Sequence, residues 1–351
     1  MINIRMRFRK FAYVAAVALP LIASGQAANA QQQDSLNLSI TGAGVQGYYK
    51  LIYEAMNGIV RDVYPGSAIT FKPSSPAGGI MAIAKGEADL SLAAGAPEIQ
   101  YAVEGKPPYP SKLENIQGVM RVHNTQLFHF LMNKDAAERY GVHSFADIAE
   151  KKPPLTIAIN RKGNLQIVEI AKDIMEAHGF TIEDLESWGG SVSWVASGTA
   201  LDQLQDRKAD MFLNVRFAPD ARVKEIAHDV DLVWVEADRE ALQQVADKWG
   251  YETSMIEEST YPELLSSDQL TLVQWSAMLA GAHVPEKEVY NFLSALLENQ
   301  ERVQAIHPSM AGFSAKEAAE IAQLKGVPLH PGAERFFRER GLLAEQVSKK
   351  N

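Results

Sequence analysis

The sequence predicts an α/β protein built as two similar lobes, and three observations carry that expectation. Strand-loop-helix units follow one another along the chain, glycine-rich loops separate strand from helix, and the first units recur about a third of the chain later. Leu36-Asn37-Leu38-Ser39-Ile40 runs into a loop containing Gly44, and Leu155-Thr156-Ile157-Ala158-Ile159 into a loop containing Gly163, 119 residues on. Lys85-Gly86-Glu87-Ala88-Asp89 leads into Leu90-Ser91-Leu92, and Arg207-Lys208-Ala209-Asp210 into Met211-Phe212-Leu213, with 121 residues between the two aspartates. Because βαβ units are common, the echo by itself proves little. It matters for function because open parallel sheets bind ligands beyond the carboxyl ends of their strands, where helix N-termini present free N–H groups. Two such lobes face to face would form a cleft.

In chain order, a strand near Leu36 to Thr41 enters Gly42-Ala43-Gly44-Val45-Gln46-Gly47, and a helix follows from Tyr48 to about Arg61. Three glycines in six residues permit close backbone approach by something bound. No acidic residue closes a second strand about twenty residues on, as a dinucleotide site would require. Pro65-Gly66 turns the chain into a strand over Ala68 to Phe71, and Ser74-Ser75-Pro76-Ala77-Gly78-Gly79 precedes a helix ending near Lys85. The strand Leu90 to Leu92 opens into Ala93-Ala94-Gly95-Ala96-Pro97, a further helix start. Three units in series imply a parallel sheet with all loops at one edge.

Ile116 to Arg121 and Leu127 to Met132 read as two strands, with the crossing into the second lobe between them. A short helix starts at Ser144-Phe145-Ala146-Asp147, a strand spans Leu155 to Asn160, and a helix spans Leu165 to Ala177, closed by Gly179. Helices are expected over Trp194 to Gln205, Pro219 to His228 and Ala237 to Trp249, with a strand over Met211 to Val215. Leu270 to Ala277 suits a returning hinge strand, and Glu286 to about Ile306 a long amphipathic helix. Ser314 with Glu317 forms a capping-box pattern, and Pro331 opens a last helix stopped by Gly341. The expected organisation is an export signal over residues 1–30, a first lobe over 31–125, a second over 126–235, and a return with hinge and helices over 236–351.

Arg5, Arg7, Arg9 and Lys10 precede the apolar run Phe11 to Ile22, and Ala28-Asn29-Ala30 suits signal peptidase. Cleavage after Ala30 would place the protein in the periplasm and move the formal charge from −9 to −13. An acidic surface argues against nucleic acid as partner. Without cysteine, disulfides, thiol catalysis and Fe–S clusters are excluded.

Catalysis and metal binding have little support: the eight histidines are scattered, no His-x-x-x-His is present, and neither a Gly-x-Ser-x-Gly elbow nor a Walker loop appears. Surface or capping roles suit those histidines, although a triad assembled by folding stays open. The loop Asn160-Arg161-Lys162-Gly163-Asn164-Leu165-Gln166 sets two cations and three amides where a helix begins, a place that welcomes a carboxylate or phosphate. Arg216 would project from the same edge. The alternative for these cations is a solvated surface role. Tyr48 or Tyr49, and Trp188 or Trp194, could wall a pocket between the lobes.

Thr41-Gly42 through Gly47-Tyr48-Tyr49, Lys85-Gly86-Glu87-Ala88-Asp89, Lys208-Ala209-Asp210 and, most specifically, Pro328-Leu329-His330-Pro331-Gly332-Ala333-Glu334-Arg335-Phe336-Phe337 resemble the TAXI-type solute receptors of TRAP transporters, over nearly all of the mature chain. The resemblance implies a periplasmic binding protein of type II, with two α/β lobes joined by hinge strands. Such a receptor is monomeric, needs no cofactor, and passes a small organic acid or amino acid to TRAP membrane permease subunits. The ligand-binding residues expected from loops and resemblance are Thr41, Gly42, Gly44, Gln46 and Tyr48 after the first strand, and Ser75, Ala77, Gly79 and Gly95 after the next two. In the second lobe they are Asn160, Lys162, Gly163, Asn164, Gln166, Asn214 and Arg216. The chain departs from the family at the pocket: Gly163-Asn164-Leu165-Gln166 replaces a Gly-Ser-Gly-Thr-like loop, Gly79 an asparagine, Ala94 and Ala96 a glutamine and an aspartate, and Arg216 a small residue. Loss of an acid and gain of a cation favour a dicarboxylate or 2-oxo acid over an amine-bearing ligand. A glutamate- or glutamine-like ligand, an ABC permease or sensor as partner, and an exported hydrolase are the alternatives.

Overall fold

The computed structural model describes residues 35–45 and 48–343. The export signal with its cleavage site, and Gln46, lie outside the described residues. The first three units are β1 (Asn37–Thr41), α1 (Tyr48–Val63), β2 (Ala68–Phe71), α2 (Pro76–Ala84), β3 (Leu90–Ala94) and α3 (Ala96–Glu104). Ile52, Met56, Ile59 and Val60 bury one face of α1 at helical spacing, whereas β3 is buried along its whole length, as a central parallel strand must be. The chain continues through β4 (Ile116–Asn133), α4 (Lys134–Tyr140), α5 (Phe145–Lys151), β5 (Thr156–Ala158), α6 (Leu165–Ala177), α7 (Ile182–Ser187), β6 (Ser191–Ser193), α8 (Ser197–Gln205) and β7 (Met211–Phe217). It then runs through α9 (Ala221–Asp229), β8 (Leu232–Trp234), α10 (Arg239–Trp249) and β9 (Glu252–Ile256), and returns along β10 (Gln269–Gly281) to α11 (Glu286–Leu297), α12 (Gln300–Gln304), α13 (Ala315–Ala319) and α14 (Pro331–Glu339).

All ten strands form one sheet in the order β2-β1-β3-β10-β4-β7-β5-β6, with β8 beside β4 and β9 beside β10. The order states one plan twice. In the first half β2, β1 and β3 run parallel, β10 joins antiparallel, and β4 follows. In the second half β6, β5 and β7 run parallel, β4 joins antiparallel, and β8 follows. Each half thus borrows its antiparallel strand from chain that also serves the other, and β4 and β10 are the shared members.

The sequence echo has a structural role in this plan. Asp89 Oδ2 accepts the Ser39 N–H at 2.7 Å, and Asp210 Oδ2 accepts the Thr156 N–H at 2.7 Å, so each aspartate ties the first strand of its half to the start of the third. The preceding turns carry positive φ at Gly86 and Arg207.

Several expectations change in detail. The two strands foreseen around residues 116–132 are one strand, β4, because its pairing with β10, though shifted in register, overlaps its pairing with β7 at Gln126 and Leu127. The helix foreseen from Glu286 to Ile306 is interrupted at Glu298 and Asn299, where Asn299 Nδ2 donates back to the Ala295 carbonyl. The helix expected from Trp194 starts at Ser197, since residues 191–193 pair as β6. Ser314 accepts the Glu317 N–H, giving a cap for α13. Among the described residues no helix is long and apolar enough to cross a membrane.

Candidate functional site at the seam between the halves

Glycine permits a tight turn after β1 at Gly42, whereas Gly78 and Gly79, expected in a loop, lie inside α2, which begins at Pro76; the protein itself fills the space beside Gly42 and Gly79. Gly42 has φ 85°, and a Cβ there would stand 2.3 Å from the Leu92 carbonyl oxygen and 2.5 Å from Ser91 Oγ. A Cβ on Gly79 would stand 2.4 Å from the Gly42 Cα. Thr41 Oγ1 lies 2.8 Å from Ser74 Oγ, the Gly42 N–H donates to Ser74 Oγ, and Ser75 caps α2 by accepting the Gly78 N–H. Ala77, the second residue of α2, is buried, while Gly44 is exposed. Ser91 Oγ, wedged between the two glycines, has no hydrogen-bond partner.

In the second half, Asn160 and Asn214 brace each other. Asn160 Nδ2 donates to Asn214 Oδ1 at 3.2 Å, Asn160 Oδ1 accepts the Arg161 N–H, and Asn214 Nδ2 donates to the Ile159 carbonyl. Arg161, Lys162 and Gly163 are exposed, and the Lys162 ammonium sits 5.2 Å from the Trp194 ring centre. Trp188 packs instead against Phe180. Asn164 stands at the N-cap of α6 with no side-chain cap bond. Arg216 is engaged: Nη2 lies 2.6 Å from Asp220 Oδ2, Nε donates to the same oxygen, and Nη1 reaches Ser197 Oγ at 3.4 Å. Asp220 is itself fixed as the N-cap of α9, and its N–H donates to the Tyr261 hydroxyl. Tyr261 in turn donates to His129 Nε2, whose ring proton on Nδ1 goes to the Leu127 carbonyl. Burial pushes the His129 pKa down to about 4, so this relay holds a neutral imidazole.

The halves meet where α3 faces α6. A Cβ on Gly95 would stand 2.4 Å from Gln166 Cδ, so glycine is what lets the Gln166 side chain reach β10, where Nε2 donates to the Trp275 carbonyl at 3.0 Å. The Gln166 N–H, in the first turn of α6, donates to Glu98 Oε1 at 2.8 Å, and the Tyr101 hydroxyl donates to Glu169 Oε2 at 2.7 Å. Tyr251 donates no proton to Ala96 but accepts its N–H at 3.0 Å. A second contact joins α1 to β7 and β4: the Tyr48 ring lies 4.3 Å from that of Phe217 of β7, and Tyr49 Oη is 3.0 Å from His123 Nε2 of β4. His123 is buried, its pKa is pushed down to about 3 by burial, and its Nδ1 has no partner.

Of the residues expected from sequence, Gly95 with Gln166, Gly42 with Gly79, and Asn160 with Asn214 are therefore brought together, whereas Tyr48 joins a different cluster. Glu98, Tyr251, Trp275, His123 and Phe217 were not foreseen. An acid in the first turn after Pro97 is an ordinary helix-start signal, and nothing local shows that a second helix N-terminus opposes it. The histidine reading holds for His330, which caps α14, and is corrected for His123 and His129, which are buried between strands and helices.

Beside the shared strands lies a cavity of about 620 Å³, lined among others by Arg121 of β4, Trp275 of β10, Ile99 and Val103 of α3, and Trp249. None of the ligand-binding residues expected from sequence lines it. Arg121 is paired there with Glu320. Among the described residues no group of three or more His, Asp or Glu could hold a metal ion.

Two halves of one plan, with their strand-to-helix loops opposed across a seam, define a duplicated α/β protein of the kind whose ligand sites lie at strand carboxyl ends. The chain belongs to the NMT1-like family, whose model matches residues 40–341. Solved structures similar to it include MatC from Rhodopseudomonas palustris with bound malate, at 13% identity and TM-score 0.49 over 87% of this chain and 98% of that one. Another is the alkanesulfonate-binding protein SsuA from Xanthomonas axonopodis pv. citri bound to MOPS, at 14% identity and TM-score 0.47 over 87% of this chain and 84% of that one.

Proposed function

We propose that the protein is a periplasmic solute receptor of the TAXI type, whose two lobes hinge about β4 and β10 to close on a small carboxylate and deliver it to a TRAP-type permease. The observation that carries this reading is the opposition of loops from both halves at Gly95 and Gln166. A solute held in the cleft beside that packed contact would meet both lobes at once, and closure would be stabilised by that double contact. The exposed Arg161 and Lys162 and the nearby Arg216 support an anionic ligand, with a dicarboxylate or 2-oxo acid as the first choice. The amino-acid reading is supported by one observation, the buried Glu98 carboxylate with an unpartnered Oε2, which an ammonium group would complement.

Calorimetry with succinate, 2-oxoglutarate and glutamate separates the two ligand classes. Binding of the first two with glutamate silent is the expected outcome; tight glutamate binding with the others silent would move the assignment to the amino-acid class. Arg216→Ala should weaken anion binding roughly tenfold without unfolding the protein, since one partly exposed charge-assisted contact is worth about 1.4 kcal/mol or more. Asp220→Ala, which frees the guanidinium, should strengthen binding while lowering stability by about 1 kcal/mol through loss of the α9 cap. Unchanged affinity in both variants would remove Arg216 from the site.

A further inference from the structure

Among the side chains at the seam, Glu98 is a fully buried carboxylate, 0% exposed. Oε1 accepts the Gln166 N–H at 2.8 Å, and Oε2 has no hydrogen-bond partner. The backbone amides of Gly95 and Glu98, at the start of its own helix, also favour its charged form. The carboxyl stands between the N-terminal turns of α3 and α6, one from each half; those amides favour its charge, but full burial with one oxygen unpartnered disfavours the charge more strongly. Among the described residues no lysine, arginine or histidine pairs with it.

The surroundings of Glu98 are simple electrostatically. Tyr49 of α1, Tyr109 after α3 and Tyr251 after α10 feel its charge, and burial holds the hydroxyl pKa of all three well above the ordinary tyrosine range, so they stay neutral at physiological pH. Glu169, one turn further along α6, is the carboxylate nearby, and it is held by the Tyr101 hydroxyl and by Lys172 at 3.0 Å. Gln166, the residue that Glu98 engages, is anchored to β10 by two bonds, to the Trp275 carbonyl and from Gln274 Nε2. A change at Glu98 is thus felt at the helix start and at a shared strand together.

We propose that Glu98 is a proton-operated clasp between the two halves: with its carboxyl protonated the α3–α6 seam rests closed, and its ionisation loosens that seam. The inference rests on the hinging reading above and not on which solute is bound. Burial pushes the Glu98 pKa up from the ordinary 4.5 to about 7 in the closed arrangement. Water returning to an opened seam would restore the ordinary value, so closing takes up a proton between those two pH values. The closed form is then fully favoured below the ordinary carboxylate range, loses that preference as pH rises to about 7, and changes no further above it.

The test follows purified ligand-free protein from pH 4 to pH 8 by small-angle scattering, with the protection factor of the Gln166 amide read by hydrogen exchange. The closed-to-open ratio of the unaltered protein should fall by about two orders of magnitude across that range, which is the effect of a carboxyl whose pKa differs by this much between two states. Glu98→Gln, which keeps an acceptor for the Gln166 N–H but cannot ionise, should abolish the slope, and Glu169→Gln should preserve it. A slope that persists in Glu98→Gln, or vanishes in Glu169→Gln, overturns the clasp while leaving the hinge standing. Should Glu98→Gln not fold, the unaltered protein and Glu169→Gln still decide. A radius of gyration constant with pH, yet responsive to a solute panel, defeats the clasp alone; one constant under every condition defeats the hinge and the clasp with it.

Discussion

Gly42→Ala is expected to destabilise the protein by about 4 kcal/mol, combining left-handed backbone strain with overpacking against atoms that cannot retreat. The backbone φ of 85° suits only glycine without strain, and the added methyl would lie 2.3 Å from the carbonyl oxygen of Leu92, which is committed within β3. Gly79→Ala meets the Gly42 Cα at 2.4 Å but at an ordinary φ, so it should lose only the overpacking share, about 1–3 kcal/mol. Gly163→Ala is the internal control: nothing lies within 4 Å of its Cβ position, and stability should change by no more than about 0.5 kcal/mol. Urea unfolding of the three variants measures the order. Equal midpoints for Gly42→Ala and Gly163→Ala would show that the first loop gives way, and the interlocked packing of Gly42, Ser91 and Gly79 would have to be abandoned.

The glycines show where sequence reasoning reached and where it stopped. Glycine in a strand-to-helix loop signals a close backbone approach; that approach is present at Gly42 and Gly95, and at Gly79, which lies inside α2 rather than in the expected loop, but not at Gly163. What approaches is another part of the chain, and a one-dimensional pattern has no means of naming it. Periodic segments were legible because local spacing decides them: α6 begins at Leu165 and ends at Ala177 as its apolar repeat requires, and α14 begins at Pro331. β6 and β9 escaped because short strands with polar or exposed positions carry too little alternation, and β8 because three residues are too few to show any; only their partners β5, β10 and β4 define them. Arg216 was legible as a cation at a strand end, but its tie to Asp220 depends on the turn that brings α9 back to β7. Glu98 needed the whole fold, since its partner amide lies 68 residues away on the other half.

Asp89→Ala and Asp210→Ala test whether the repeated aspartate does the same job in both halves and whether the halves unfold together. Asp89 Oδ2 accepts both the Ser39 N–H at 2.7 Å and the Ser39 hydroxyl at 2.8 Å, while Oδ1 lies 3.2 Å from His283 Nε2. Asp210 Oδ2 accepts the Thr156 N–H at 2.7 Å. A hydrogen bond to a charged acceptor contributes about 1.5–3 kcal/mol, and removing the acceptor leaves a strand amide unpaired. Losses of about 3 kcal/mol at Asp89 and about 2 kcal/mol at Asp210 are therefore expected, with Asp→Asn retaining part of each because an amide oxygen still accepts. The two sites share no partner and lie in different halves, so the double variant should lose the sum if the protein unfolds in one step. One step is the expected behaviour, because β4 and β10 run through both halves and the described residues fall in one compact unit. Two calorimetric transitions, with Asp89→Ala moving only one of them and Asp210→Ala only the other, would mean that the shared strands transmit motion without transmitting stability. That result would recast β4 and β10 as flexible straps, and the pH profile of the Glu98 clasp would then report the stiffness of the seam alone.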